Sequence, residues 1–142
     1  MILHENNYIE EINGMPKSAW KPLLDLIPEI HQTDDFGEFG SEETSEQSNP
    51  ILPYSIHGSV VSRFRQIAYD LPIIISFNWG QWEEGRMMVN DESFDFDSID
   101  IPTKCKIITA IVRNDRFCDG ALILAFKSGL ISKILMSIKN QL

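Results

Sequence analysis

Histidine and cysteine are scarce in this 142-residue chain, three of the first and two of the second. Cys105 and Cys118 form no C-x-x-C pair and have no histidine at ligand spacing, so neither a disulfide framework nor a zinc site is in view. His4, His31 and His57 are far apart and make no H-x-x-x-H or H-E-x-x-H. The expectation is no bound metal and no cofactor. A G-x-S-x-G elbow and a Walker loop are also missing. Gly37-Glu38-Phe39-Gly40 lacks the lysine of a phosphate loop, and its glutamate would repel phosphate. Glu83 and Glu84 are adjacent and would point to different sides of a helix, a poor acid/base pair. These absences argue against catalysis without excluding it.

Long apolar runs are missing too. The run Leu71 to Ile75 contains Pro72 and is far too short to span a bilayer. Met1 to Asn7 has neither the basic region nor the apolar stretch of a secretion signal. A reducing cytoplasm is therefore the expected setting. Basic residues are few in the first hundred positions, where 5 face 19 acids for a charge of −14. Residues 101–142 reverse the balance to +5, and the whole chain carries −9. Phosphate-backbone affinity grows with the number of Lys and Arg contacts, so direct nucleic-acid binding is not expected. Docking on anionic membranes is disfavoured for the same reason. A basic protein partner fits the charge, as does a fold in which one half neutralises the other. Oligomeric state is not legible.

What is present suits one globular domain over 1–142. Hydrophobic residues make up 43% of the chain, and a chain this long buries roughly two thirds of the surface it exposes when unfolded. Helical spacing runs from Ile2 to Ile12 and again from Ser18 to about Ile30, where Pro28 should kink or end the helix. Residues 33–50 hold six acids and no base, and read as an acidic flexible loop with Phe36 and Phe39 anchoring one end. Ser55 to Asp70 puts Ile56, Val60, Val61, Phe64, Ile67 and Ala68 on one helix face. Residues 71–77 read either as one short strand or as a buried extended connection. Asn78 and Gln81 have the spacing of a capping pair that opens a helix over Trp79 to Val89.

A second acidic linker covers about 90–100, with five acids and no base. Pro102 then sits in the opening turn of a helix that buries Ile107, Ile108, Ile111 and Val112. Asp115 is placed to cap a short helix from Arg116 to Lys127, and a last amphipathic helix begins at Leu130. The expected architecture is all-α, a bundle of six to seven helices with at most one short strand near 71–77.

Two clusters stand out. In Phe77-Asn78-Trp79-Gly80-Gln81-Trp82-Glu83-Glu84-Gly85-Arg86, helical spacing makes Trp79, Trp82 and Arg86 neighbours. Indoles beside a guanidinium can stack on a planar ligand or a partner side chain, or can simply be core with Arg86 covering an edge. In Arg113-Asn114-Asp115-Arg116-Phe117-Cys118-Asp119-Gly120, two arginines flank an aspartate. They suit a carboxylate or phosphate clamp, or a corner in which Arg113 meets a helix end and Asp115 caps the next.

Read jointly, F-N-W-x-x-W-x-x-G-R and I-x-R-N-D-R-F-C-D-G resemble an uncharacterised bacterial family classed as a domain of unknown function. Its members share an F-[DN]-W-x-x-W segment and a later R-x-D-R-F-x-x-G segment. Phe77, Trp79, Trp82, Gly85, Arg113, Asp115, Arg116, Phe117 and Gly120 stand at the matching positions, and the likeness spans Val60 to Ile134. Asn78 replaces the aspartate of many relatives. The resemblance implies a domain and brings no activity with it.

Two functions follow as expectations. The first is a small acidic, non-enzymatic protein-interaction factor (accessory, immunity-like, or an antagonist from a phage or its host). The second is a ligand-binding module or enzyme with a pocket lined by Trp79 and Trp82 on one side and Arg113 and Arg116 on the other. The candidate binding residues are Trp79, Trp82, Arg86, Arg113, Asp115 and Arg116.

Overall fold

The computed structural model describes residues 3–4, 7–40, 54–117 and 120–142, with the backbone alone at 3–4, 38–40 and 54–56. The fold is all-α in class. Among the described residues it has eight helices: α1 Tyr8–Asn13, α2 Lys17–Leu24, α3 Leu26–Gln32, α4 Ser59–Asp70, α5 Glu83–Asn90, α6 Ile101–Asn114, α7 Ala121–Lys127 and α8 Leu130–Gln141. Two 3-10 turns, Trp79–Gln81 and Phe96–Ser98, complete the helical part. Four short strands accompany them: β1 Leu3–His4, β2 Gly37–Gly40, β3 Tyr54–His57 and β4 Ile75–Ser76.

The strand expected near 71–77 is β4, which pairs in parallel with β1 in the register Leu3↔Ile75 and His4↔Ser76. Leu3 and His4, expected as the start of a helix, are therefore extended, and that helix is the shorter α1. The hairpin β2–β3 is an addition to the expected helices. It claims Gly37–Gly40 from the acidic loop and Tyr54–His57 from the helix expected to start at Ser55. Gly58 explains the later start of α4. Its amide donates to the Phe36 carbonyl at 3.0 Å. A Cβ on Gly58 would lie 2.7 Å from the Asp35 carbonyl oxygen, so only glycine lets the two backbones meet. Phe36 anchors this end of the acidic segment against Phe126, with ring centroids 5.6 Å apart. Residues 41–50 of that segment lie outside the described residues.

Proline explains a second difference. The single helix expected over 18–30 is two, broken at Asp25. Pro28 lies in the first turn of α3, where its missing N–H costs nothing, and its ring is incompatible with a helical carbonyl at Leu24. The helix expected over Trp79 to Val89 is likewise split into a 3-10 turn and α5. Asn78 does not cap it; the amide Nδ2 donates instead to Gln81 Oε1 at 2.9 Å.

One core joins these elements. α4 contributes Val60, Val61, Phe64 and Ala68, and α8 contributes Ile131, Ile134, Leu135 and Ile138, each set with the three- and four-residue spacing of one helix face. Phe64 meets Phe126 edge-on at 5.3 Å, while Trp20 is 1% exposed beneath α2. Each such side chain contributes about 1.5–3 kcal/mol by leaving water. Thr109, buried on α6, accepts from the Ile75 amide at 3.0 Å and ties β4 to that helix. Lys104 on α6 is fully buried, and its ammonium donates to Gln141 Oε1 at 2.6 Å. Gln141 Nε2 in turn donates to the carbonyls of Asp97 and Ile99, fastening the end of α8 to the acidic linker.

Within that linker most acids do local work. Asp95 Oδ1 accepts from the Asp97 amide, Asp97 Oδ1 accepts from the Ser137 hydroxyl, and Asp100 caps α6 by accepting from the Thr103 amide. Among the described residues no single helix is long and apolar enough to cross a membrane.

Candidate functional site

The segment after β4 is built around Lys106. Its ammonium lies over three rings, 4.5 Å from the Phe77 centroid, 5.0 Å from Trp82 and 5.6 Å from Tyr8. Phe77 and Trp82 meet edge-on at 5.5 Å. Gly85, one turn into α5, sits directly under the Trp82 indole, where a Cβ would come within 2.2 Å of Cε3. Arg86 folds back, its Nη2 donating to the Gly80 carbonyl at 2.8 Å. The loop from Trp79 to Arg86 is thus closed on itself, with Trp82 half-buried and Trp79 reaching the other motif. Trp79 and Phe117 have ring centroids 6.0 Å apart, so the tryptophan segment and the arginine-rich turn are neighbours.

Between this loop and α6 and α7 lies a cleft of about 760 Å³. Ile107, Ala110, Ile111 and Asn114 form its floor from one stripe of α6, at spacings of three and four. Ala121, Leu124 and Ala125 of α7 form the facing wall, and Trp79 and Trp82 a third side. Alanines on α6 and α7 leave the space open. Among the described residues Arg86 and Lys127 are the charged ones in the lining.

Three of the six candidate residues therefore converge here: Trp79, Trp82 and Arg86. The other three do not. Arg113 falls off the α6 stripe that faces the cleft. Arg116 lies past the end of that helix and is exposed, and among the described residues neither arginine has an ion pair. The pocket expected between tryptophans and Arg113/Arg116 is thus lined by Arg86, Asn114 and Lys127 in their place.

Asp115 is architectural. It is 9% exposed, with Oδ2 against His57 Nε2 at 2.9 Å and Oδ1 accepting from the Leu122 amide at 3.0 Å. It caps α7 from outside, across a corner where Gly120 takes a φ of 87°. The helix expected to start at Arg116 begins five residues later for this reason. Cys118 and Asp119 lie outside the described residues.

Asp115→Ala should cost about 1–2 kcal/mol in urea unfolding, having removed a helix cap and the partner of His57. Arg116→Ala should stay within about 0.5 kcal/mol of the parent. The opposite ranking would mean that Arg116, and not Asp115, holds the corner.

Other chemistry is quiet. Cys105 is fully buried and free, and burial pushes its thiol well above the ordinary range, which leaves it unreactive. His31 Nε2 bonds the Ser132 hydroxyl at 2.7 Å and links α3 to α8. Among the described residues no group of His, Cys, Asp and Glu is arranged to hold a metal ion.

In a comparison with known families, residues 15–142 match a family of unknown function, DUF6508. The chain belongs to DUF6508. The match reaches well beyond Val60 to Ile134, so α2, α3 and the hairpin are part of the DUF6508 domain along with the cleft. No curated protein and no solved structure gave a significant match.

Proposed function

We propose that this protein is a non-enzymatic binding module that takes a small, largely apolar molecule into the cleft between α6, α7 and the Trp79–Arg86 loop. The observation that carries the reading is the lining. Two half-buried indoles face a floor of small and aliphatic side chains, with a few polar groups at the edge, as ligand pockets are commonly built. The volume lies within the usual range for such sites. Among the described residues no carboxylate, imidazole or thiol lines it, so what they offer a ligand is surface and orientation.

The interaction-factor reading rests on acidic stretches meeting a basic partner. The cleft supports the binding-module reading better, because Asp91, Asp95 and Asp100 are engaged in local hydrogen bonds and Asp97 in one to Ser137 of α8. A bacterial, cytoplasmic setting belongs to the same proposal, supported by the family resemblance and the few cysteines.

A set of flat aromatic fragments titrated into the protein, followed by NMR, tests it. Shifts should concentrate on the indole N–H groups of Trp79 and Trp82 and on the methyl groups of Ala121 and Leu124. Ala110→Phe should fill the floor and remove those shifts while keeping stability within about 1 kcal/mol, since the added ring enters open space. Shifts that survive Ala110→Phe, or that centre elsewhere, would overturn the proposal.

A further inference from the structure

We infer that the ligand of this cleft is a small organic anion, a flat apolar ring system carrying one carboxylate or phosphate monoester that sits at Arg86. This rests on the cleft being the binding site, and adds to it the ligand's charge and shape.

Charge is the first argument. Acids outnumber bases 21 to 12 along the chain, yet among the described residues the charged side chains lining the cleft are Arg86 and Lys127, both cationic. Glu83 and Glu84, on the same helix as Arg86, are exposed and outside the lining. Among the described residues no carboxylate lines the cleft, and Arg86 at its mouth offers an anion a cationic partner that this −9 chain seldom presents elsewhere.

The posture of Arg86 is the second. Its Nη2 donates to the Gly80 carbonyl, which pins the guanidinium at the mouth at little further entropic cost. Its remaining N–H groups have no partner among the described residues. A planar fork held in place with donors to spare matches a carboxylate or phosphate oxygen pair.

Shape is the third. Trp82 is fixed by Gly85, Phe77 and Lys106, so its indole forms a rigid wall that cannot close over a ligand. Ala110 and Ala121 keep the opposite surface low. A slot between a rigid indole and a low aliphatic floor suits a flat ring better than a branched chain.

Four probes with one naphthalene body separate the possibilities: 2-naphthoate, 2-naphthyl phosphate, 2-naphthalenemethanol and 2-naphthylmethylammonium. Their affinities are measured by calorimetry on the full chain and on Arg86→Gln. The two anions should bind about tenfold more tightly than the alcohol, and the ammonium more weakly than the alcohol. Of the two anions, the tighter identifies the head group. Arg86→Gln should bring the anions down to the level of the alcohol measured on the same variant, whose fold is checked by circular dichroism. If the alcohol matches the anions on the parent protein, the anion inference is wrong while the cleft remains a binding site. If none of the four binds, the cleft reading fails and this inference fails with it.

Discussion

Gly85→Ala should weaken aromatic-fragment binding about tenfold or more, a loss of at least about 1.4 kcal/mol, and should also destabilise the fold. On an ordinary helix this substitution helps by about 0.5–1 kcal/mol, because alanine loses less backbone freedom than glycine. Here the added carbon would sit 2.2–2.7 Å from three atoms of the Trp82 indole. That ring cannot swing away cheaply, since Phe77 abuts its edge and the Lys106 ammonium lies over it. Overpacking of this kind typically costs about 1–3 kcal/mol, so it outweighs the propensity gain. Thermal unfolding and calorimetry on the one variant read both effects. A stabilised protein with unchanged affinity would show that Trp82 is free to move and is not a wall of the site.

Lys104 carries the second large effect. Lys104→Ala should cost about 2–4 kcal/mol, since a fully buried side chain is lost from between α6 and α8 and leaves a cavity. Lys104→Met should stay within about 1 kcal/mol of the parent, because it keeps the volume and removes a buried charge that is itself expensive. Gln141, exposed at the end of α8, can then turn its carbonyl to water.

The pH dependence follows from the direction of the lysine's shift. Burial lowers its pKa below the ordinary 10.5, against the smaller opposing pull of Asp97 and Asp100. Between the lowered value and 10.5 the unfolded chain holds a proton that the folded one has released, so this residue makes stability rise with pH across that window. Urea melts of parent and Lys104→Met over that range should differ by this rising component. Identical profiles would mean that the ammonium is solvated in the folded state.

The helices were legible where packing follows a single period. α4, α6 and α8 bury the faces their spacing marks out, and Pro102 opens α6 as expected. Of the strands β4 was legible as one of two readings, while β1, β2 and β3 were not, because each is short and its pairing is set at a distance. Ile56 fits a helical stripe as well as a strand, and the pairing with β2 and the Gly58–Phe36 contact beside it decide between them. Two-residue β4 depends on Thr109 and on Leu3, neither of which lies near it in sequence.

The site divides in the same way. Trp79, Trp82 and Arg86 were visible as a local cluster from their closeness in sequence, although a 3-10 turn and the Arg86–Gly80 bond, and not one continuous helix, hold them together. Ala110, Ala121 and Leu124 were not, because a cleft floor is marked by small side chains on otherwise apolar faces, and alanine there reads as ordinary helix. His57 was missed for a different reason: its partner Asp115 lies on another element, and local sequence reasoning gives an acid at a helix start a capping role alone.

The pairing of β1 with β4 bears on how the chain assembles. Leu3 and His4 add to Ile75 and Ser76 only after α1 to α4 have been threaded between them, so a long loop must close for very few hydrogen bonds. Such a contact gains little until the helices already stand in place. The pairing of β1 with β4 is accordingly expected to form late, after the helices have packed, and removal of residues 1–4 should leave the refolding rate nearly unchanged in stopped-flow measurements.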